Sequence, residues 1–471
     1  MLNIREKAIT HLTCDSRTAG PNSAFVCLEG ANTDGHLYAR AAYDRGCRMF
    51  VCRRKLDLPD DAAQMLTDDT RIALAELSAQ FYGYPAQKLH LIGVTGTKGK
   101  STVAALVRSI LCRAGIQTDI IGTNGMTVGG VHEPTVNSTP ESLILHEAFA
   151  RMEQAKTTCV VMEVSSQAYK MHRVHGLTFD IGVYTNLSDD HIGPGEHENF
   201  EEYRDCKAQL FAHSRYAVIN ADDAYGQFMA DHTNGEIVTY GLGEGAQCRA
   251  TDIELFQTDG QPGVRYRLDG VSYSLKLPGT FNVYNALAAT AVADRMGVDR
   301  ATAASALADT LVKGRFQRVD CLPGRSFVID YAHNGFALQS ALGVLRAYRP
   351  KRLICLFGSV GERTQMRRRE LGEAAAAMCD FCIITSDNPG REDPAAIIRE
   401  IESFMGDCPH ICIPDRAEAI DWAVRHSRPG DLILFAGKGH EDYQLIGTEH
   451  VPFCEEELIR ASAASMRESV L

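Results

Sequence analysis

The sequence predicts an α/β protein of three domains: a small N-terminal α/β domain, a central P-loop-type domain with a parallel sheet, and a C-terminal Rossmann-like domain. Three observations carry this. A strand, a glycine-rich turn and a helix follow one another from Leu89 to Leu111. Short apolar runs alternate with helical patterns from about Gly314 onward, the βαβ rhythm of a parallel sheet. The chain also has 471 residues, more than a single core supports. The expected boundaries are 1–85, 86–313 and 314–471, the first falling at the break Gly83-Tyr-Pro85.

The central element is Leu89-His-Leu-Ile-Gly-Val-Thr-Gly-Thr-Lys-Gly-Lys-Ser-Thr102. Gly96 and Gly99 free the turn of Cβ atoms, so that successive N–H groups can converge on phosphate oxygens with a helix N-terminus behind them. Lys100 is placed to reach terminal phosphates, and the Ser101 hydroxyl to hold magnesium. Val103, Leu106, Val107, Ile110 and Leu111 then recur at helical spacing until Gly115. The match to the common P-loop is displaced, because Val94 stands where its first glycine belongs and Gly93 lies one residue earlier.

Composition narrows the function classes. A net charge of −12 argues against sequence-independent nucleic-acid binding, which needs basic surface to displace counterions. Small molecules or proteins are the expected partners. Met1-Leu-Asn-Ile-Arg-Glu-Lys7 carries charge where a signal peptide needs an apolar run, and no apolar stretch is long enough to span a bilayer, so the expected location is the cytoplasm, away from membranes. Fifteen cysteines scattered through apolar segments read as reduced core residues. Cys379-x-x-Cys382 with Cys408 and Cys412 has the arithmetic of a zinc site, but Cys382 and Cys412 fall in strand-like apolar runs, where a small hydrophobe is the simpler reading.

In chain order, the first domain offers Asp15-Ser-Arg17, the strand-like run Ser23 to Leu28, and the polar turn Gly30 to His36 before a helical pattern at Leu37 to Arg45. In the second, Glu163 ends one apolar run, and Asp190 and His191 lie just beyond another. Ligands of a parallel sheet bind outside the carboxyl ends of its strands, which makes Glu163 and His191 candidate magnesium ligands facing the γ-phosphate. Residues 249 to 277 alternate in the manner of antiparallel hairpins, and an alanine-rich helix opens near Asn282 and Asn285. In the third domain polar residues gather after the apolar runs, at Asp330-Tyr-Ala-His333, Gly358 to Arg363, Ser386 to Pro389 and Gly437 to Tyr443. Two α/β domains with binding faces suggest a two-substrate reaction.

Six of these segments, Gly93 to Thr102, Met162 to Ser166, Thr185 to His191, Asn282-x-x-Asn285, Asp330 to His333 and Gly437 to Gln444, together resemble the Mur ligases, and among them the tripeptide synthetases. The displaced glycine is shared by Mur ligases and folylpolyglutamate synthetases. The resemblance implies an N-terminal domain for a UDP sugar, a central ATPase and a C-terminal domain for the incoming amino acid. Its activity is ATP-dependent amide ligation, adding L-lysine or meso-diaminopimelate to UDP-N-acetylmuramoyl-L-alanyl-D-glutamate through an acyl phosphate in peptidoglycan synthesis, by a monomer. The alternatives are another Mur-type or folylpolyglutamate-type ligase, or a P-loop ATP-hydrolysing switch or binding module.

The resemblance also implies roles. Lys100, Lys207 and His191 are the catalytic positions; Gly96, Thr97, Gly99, Lys100, Ser101, Thr102, Asn282, Asn285, Arg315, Asp330 and His333 contact ATP. Ser101, Glu163, His191 and Lys207 belong to the magnesium sites, with Lys207 at the family's carbamylated lysine. Ser16 lies in the uridine segment, and Asn137, Ser138, Thr139, Ser165 and Arg173 hold the muramoyl peptide. Arg363, Asp387, Asn388, Gly437 and Glu441 face the amino acid. Members adding meso-diaminopimelate usually carry Asp-Asn-Pro-Arg, whereas this chain has Asp387-Asn-Pro-Gly390 followed by Arg391, which tips the expectation toward L-lysine.

Overall fold

The run His90–Thr95 is apolar after its first residue and forms a strand buried on both faces, the pattern of a central strand in a parallel sheet. The computed structural model describes residues 9–30, 33–189, 192–193, 195–258, 260–362 and 364–468. By packing, these residues form two units: residues up to Arg249 with Leu287–Asp299, and Ala250–Ala286 with residues from Arg300 onward. Among the described residues no helix is long and apolar enough to cross a membrane.

The first unit opens with a four-stranded parallel sheet in chain order, His11–Thr13, Ser23–Val26, Met49–Cys52 and Ala63–Leu66. Ala73, Leu74 and Leu77 of the helix Thr70–Phe81 cover one face, and Ala39 and Ala42 pack with the core of the other. The larger sheet of this unit runs Glu236–Gly241, Ser214–Asn220, Phe179–Tyr184, His90–Thr95, Cys159–Glu163, Thr118–Gly122, all parallel, then the antiparallel Gly125–Val128 and Val131–Glu133. Register places Glu163 beside Val94, so the last residue of one strand flanks the approach to the glycine turn. Asp119 ties the antiparallel extension to the parallel core. It is buried and accepts hydrogen bonds from Thr127 Oγ1, Thr157 Oγ1 and the N–H groups of Gly129 and Gly130.

In the second unit, Cys248–Thr258, Gln261–Leu268 and Val271–Leu275 pair antiparallel, as the alternation of residues 249 to 277 predicts. Tyr348 anchors them. Its hydroxyl donates to the Gly263 carbonyl at 2.8 Å and accepts from the Gly279 N–H at 3.0 Å. The C-terminal sheet has the order Gln317–Arg318, Ser326–Asp330, Asp431–Ala436, Arg352–Phe357, Phe381–Ile384, His410–Cys412, parallel except at its first strand. The apolar runs Phe327 to Ile329, Leu353 to Phe357, Phe381 to Ile384, His410 to Ile413 and Leu432 to Ala436 in the sequence correspond to five of these strands to within a residue at each end. The polar clusters follow the strands' carboxyl ends, where ligands of parallel sheets bind.

The helix Ser142–Gln154 buries His146 beside Leu145 and Phe149, with no hydrogen bond to its Nδ1. Burial holds this imidazole at about 4 against an ordinary 6.5, so the folded protein keeps it neutral. Above 6.5 both states are neutral at this group; between 6.5 and 4 only the unfolded chain takes the proton, so its contribution to stability is lost as pH falls through that window. His146→Leu is expected to flatten the loss of stability between pH 6.5 and 4 by about 3 kcal/mol, read by urea unfolding at successive pH values.

Candidate active site

The glycine turn is clamped by a segment nearly ninety residues away in sequence, residues 185 to 188. Thr97 N–H donates to the Asn186 carbonyl at 2.8 Å, Asn186 Oδ1 accepts from Lys98 N–H, and the Thr185 hydroxyl donates to the Lys98 carbonyl at 2.7 Å. Thr97 Oγ1 lies 3.0 Å from the Tyr203 hydroxyl and accepts from Ser188 N–H. Gly96 has φ +145°, and a Cβ there would fall 1.9 Å from Thr185 Oγ1, so only glycine lets the turn approach this closely. Gly99 at φ +89° precedes the helix Lys100–Arg113, in which Ser101 and Thr102 are buried in the first turn.

Two lysines meet at this turn. Lys100 Nζ donates to the carbonyls of Gly96 at 2.8 Å and Thr97 at 3.1 Å. Lys207, from the helix Phe200–Ala212, is 2% exposed; its Nζ donates to the same Gly96 carbonyl at 2.9 Å and lies 4.4 Å from the centre of the Tyr203 ring. Both nitrogens therefore lie less than about 6 Å apart, where two unit charges repel by about 3 kcal/mol at an effective dielectric of 20. An anion at the turn converts that cost into attraction.

Glu163 is 2% exposed, and its two carboxylate oxygens accept from Thr123 N–H at 2.8 Å and the Thr123 hydroxyl at 3.2 Å. Thr123 Oγ1 in turn lies 2.6 Å from Ser138 Oγ. A Cβ at Gly122 would meet Glu163 Oε1 at 2.3 Å, so glycine makes room for the carboxylate. The buried oxygens of Ser101 and Glu163 are the donor type a hard divalent cation takes. His191, expected with them, lies outside the described residues, as does Arg363.

Thr139 joins the next group. Its hydroxyl donates to the Glu163 carbonyl at 2.9 Å and accepts from Ser165 N–H at 3.1 Å, while Ser165 Oγ caps the helix Ser166–Lys170. Arg173 donates to the Thr139 carbonyl at 3.1 Å and pairs with Glu141 at 2.9 Å. Glu141 also pairs with Arg71 from the N-terminal domain at 3.2 Å. The sequence reading passed over Glu141 and Arg71, because a glutamate before a helix carries no spacing signal for a partner seventy residues away. Asn137 is exposed. Ser16 is half-buried in the turn after His11–Thr13, where Asp15 accepts from Arg17 N–H at 2.9 Å, the local turn its residue type favours. In the second polar turn, Asp34 accepts from His36 Nδ1 at 2.6 Å, while His36 Nε2 accepts from Arg53 N–H, which fixes the tautomer.

In the second unit Asn282 Nδ2 donates to the Pro278 carbonyl and Asn285 Nδ2 to Asn282 Oδ1, joining both asparagines at the start of the helix Thr280–Arg295. Asp330 ends its strand and accepts from the N–H groups of Phe316 and Ala332, both at 2.9 Å; burial raises its pKa against the pull of Arg315. The Tyr331 ring lies between His333 at 4.5 Å and His440 at 4.7 Å, with the Arg315 guanidinium 5.2 Å from its centre. Burial lowers the pKa of His333 and holds His440 at about 4. Each imidazole is tilted 55° to the Tyr331 ring, so the cluster offers separate ring faces and one guanidinium to a planar group.

Lys438 organises the remaining residues, and the sequence assigned it no role. It is fully buried, and its Nζ donates to Asn388 Oδ1 at 2.7 Å and Glu441 Oε2 at 2.6 Å, 4.0 Å from Asp387 Oδ1. Asn388 Nδ2 closes the ring to Glu441 at 2.9 Å. Gly437, at φ +109°, leaves room for the Asp387 carboxylate, which a Cβ would approach to 2.5 Å. Four of the five residues expected at the amino acid thus gather around one buried cation. Lys438→Met orphans Glu441 and Asp387 and is expected to cost about 3–5 kcal/mol in urea unfolding, with Glu441→Gln recovering part of the loss in the double variant.

Three family descriptions match the chain: Mur ligase family, catalytic domain, over residues 8–82; Mur ligase middle domain over 94–293; and Mur ligase, glutamate ligase domain, over 314–439. The UDP-N-acetylmuramoyl-L-alanyl-D-glutamate–2,6-diaminopimelate ligase of Caldanaerobacter subterraneus subsp. tengcongensis is 40% identical over 96% of this chain and 94% of its own. That of Chlorobaculum tepidum is 40% identical over 98% and 93%. A solved structure of a ligase with the same description superposes with a TM-score of 0.68 at 28% identity, covering 97% of this chain and 95% of that one. MurF ligase from Thermotoga maritima in complex with ADP shares the fold at a TM-score of 0.62 and 17% identity over the whole of both chains. With the glycine turn, the strand-end carboxylate and the full-length likeness in agreement, the chain belongs to the Mur ligase family.

Proposed function

We propose that the protein joins meso-diaminopimelate to UDP-N-acetylmuramoyl-L-alanyl-D-glutamate in peptidoglycan synthesis, in the cytoplasm and as a monomer. As a Mur ligase it is an ATP-dependent amide ligase. The observation that carries the reading is the convergence of Lys100 and Lys207 on the Gly96 carbonyl of the glycine turn. The relatives' names supply the substrates.

The chemistry follows from the groups. A peptide carboxylate and an amine do not condense in water, so a carboxylate oxygen attacks the γ-phosphorus of ATP, ADP leaves, and an acyl phosphate forms. The amine then attacks the acyl carbon and phosphate leaves, giving the amide and a proton. The N–H groups of Gly96 and Gly99, with Thr97, Ser101 and Thr102 lining the turn, hold the phosphates, Thr97 N–H itself being committed to the Asn186 carbonyl, and Lys100 neutralises charge on the transferring oxygens. Asn282, Asn285, Arg315, Asp330 and His333 belong to the rest of the nucleotide. Magnesium, held by Ser101, Glu163 and His191, supplies further charge neutralisation when bound.

Lys207 carries the family's carbamate in this reading. Once the ammonium gives up a proton, Nζ adds to the carbon of carbon dioxide and a second proton leaves the nitrogen; the carbamate replaces one of two crowded cations with an anion, relieving the repulsion with Lys100 and offering a carboxylate to a second metal. Lys207→Ala is expected to lose at least about 100-fold in ligation, with partial recovery by added formate or acetate; absence of recovery argues for a merely cationic Lys207.

Ser16 contributes to the uridine site, and Asn137, Ser138, Thr139, Ser165 and Arg173 hold the muramoyl peptide. Arg363, Asp387, Asn388, Gly437 and Glu441 bind the amino acid. Gly390 is left-handed at φ +58° and exchanges hydrogen bonds with the hairpin Tyr443–Pro452, its N–H donating to Leu445 O and its carbonyl accepting from Gly447 N–H. An arginine there would be strained. Arg391 is exposed and pairs with no carboxylate among the described residues, so it is the guanidinium we assign to the second carboxylate of meso-diaminopimelate.

The test is an amino-acid panel with UDP-N-acetylmuramoyl-L-alanyl-D-glutamate, ATP and magnesium. Phosphate release is expected only with both acceptor and meso-diaminopimelate present. Release without an acceptor overturns the ligase reading, and preference for L-lysine overturns the amino acid alone. Arg391→Ala is expected to raise KM for meso-diaminopimelate by about 10-fold while leaving KM for ATP unchanged.

A further inference from the structure

The cysteines whose spacing suggests zinc separate into two groups in the fold. Cys382 Sγ lies 4.0 Å from Cys408 Sγ, and Cys379 hydrogen-bonds with Cys382 and with Cys355. Cys412 belongs elsewhere. It is on the edge strand His410–Cys412, two residues from His410 and therefore on the same face, opposite Glu402 at the end of the helix Pro394–Glu402. One ligand atom from each of Glu402, His410 and Cys412 lies within 4.8 Å of the others, and His410 Nε2 is 3.5 Å from Glu402 Oε1.

We infer that Glu402, His410 and Cys412 form a binding site for a borderline-soft divalent cation, of which Zn2+ is the natural occupant, clipping the helix to the edge strand. The donor set decides the chemical class. A thiolate and an imidazole favour Zn2+ or Co2+ over Mg2+ or Ca2+, and one carboxylate completes a three-ligand set with an open fourth position for water. Tetrahedral bonding to such ligands puts donor atoms about 3.3–3.7 Å apart, so separations of up to 4.8 Å need to close by about 1.5 Å at most.

Two further features suit this site to metal. His410 Nδ1 is 2.7 Å from the Cys408 carbonyl, to which it can only donate. That contact leaves Nε2, 3.5 Å from Glu402 Oε1, as the nitrogen with a lone pair, and it is the orienting bond that metal-ligating histidines usually have. Glu402 is exposed and His410 one-fifth exposed, so a cation reaches the site from solvent. Without metal the Cys412 thiol hydrogen-bonds to Glu402; binding releases that proton to buffer and replaces the hydrogen bond with two bonds to the ion. The site braces the strand end before Pro414, whose carbonyl accepts from Ser386 N–H immediately ahead of Asp387.

The test uses the full-length, chelator-treated protein titrated with CoCl2, because a cobalt–thiolate bond gives a near-ultraviolet charge-transfer band that an all-oxygen magnesium site cannot produce. One equivalent is expected to bind with this band, to be displaced by ZnCl2, and to raise the Tm. Cys412→Ser is expected to abolish the band, and the surface change Glu402→Gln, which leaves the core intact, to weaken binding by about 10-fold or more. Cys408→Ser is expected to change neither. Loss of the band in Cys408→Ser with retention in Cys412→Ser places the ion on the other thiols and overturns the assignment, as does failure of the parent protein to take up cobalt at micromolar concentration.

Discussion

One carbonyl oxygen bears the heaviest constraint in this molecule. Gly96 O accepts hydrogen bonds from the ammonium groups of both Lys100 and Lys207, and the turn that presents it exists only because Gly96 has no side chain to strike Thr185. Two cations held this close repel each other, which favours an anion at the turn. In the function proposed above, the phosphates of ATP are that anion, and a carbamate on Lys207 changes the sign of one of the pair. The rest of the first unit serves to hold this crowding in place. The clamp from Thr185 to Ser188 fixes the turn, and the Tyr203 ring faces the Lys207 ammonium.

Charge elsewhere in the unit is arranged to complement that positive centre. Glu163 lies at the end of the strand next to His90–Thr95, and Thr123 holds both of its oxygens in one orientation. Thr123 follows a strand that Asp119 ties to the antiparallel extension through three hydrogen bonds and to Thr157, ahead of the Glu163 strand, through a fourth. The hydrogen bonds of Thr139 then couple the Glu163 backbone to Ser165, and through its carbonyl to Arg173. Residues assigned to metal and to peptide are therefore mechanically continuous, which favours precise placement of a carboxylate against a phosphate.

The C-terminal sheet solves a different problem, holding a cluster of polar and charged side chains buried beyond its strand ends. A single buried ammonium, Lys438, neutralises Glu441 and Asp387 and orients Asn388. Arg416 does the same one layer deeper, pairing with Glu455 and donating to the carbonyls of Ser386 and Ala436. Buried ion pairs of this kind add little net stability, but breaking one leaves a charge without a partner. The loop from Ser386 to Gly390 is consequently defined by electrostatics as much as by packing.

Much of this was legible from the chain alone. Glycine placement, the lysine and serine after it, and apolar runs ending in polar residues are local signals, and they determined the three-part α/β fold, the strand–turn–helix at Gly96 and the family likeness. The place of Glu163 at the end of a strand beside that turn was legible too, because an apolar run that stops at a carboxylate marks a strand end. Tertiary structure alone decided that Lys207 shares a carbonyl with Lys100, that Glu141 pairs with both Arg71 and Arg173, that Lys438 is the centre of its cluster, and that Cys412 faces His410 and Glu402 rather than the other thiols. Periodicity tells which residues share a face of their own element; which foreign side chain meets that face depends on sheet order and register, and those are set by the packing of the whole domain.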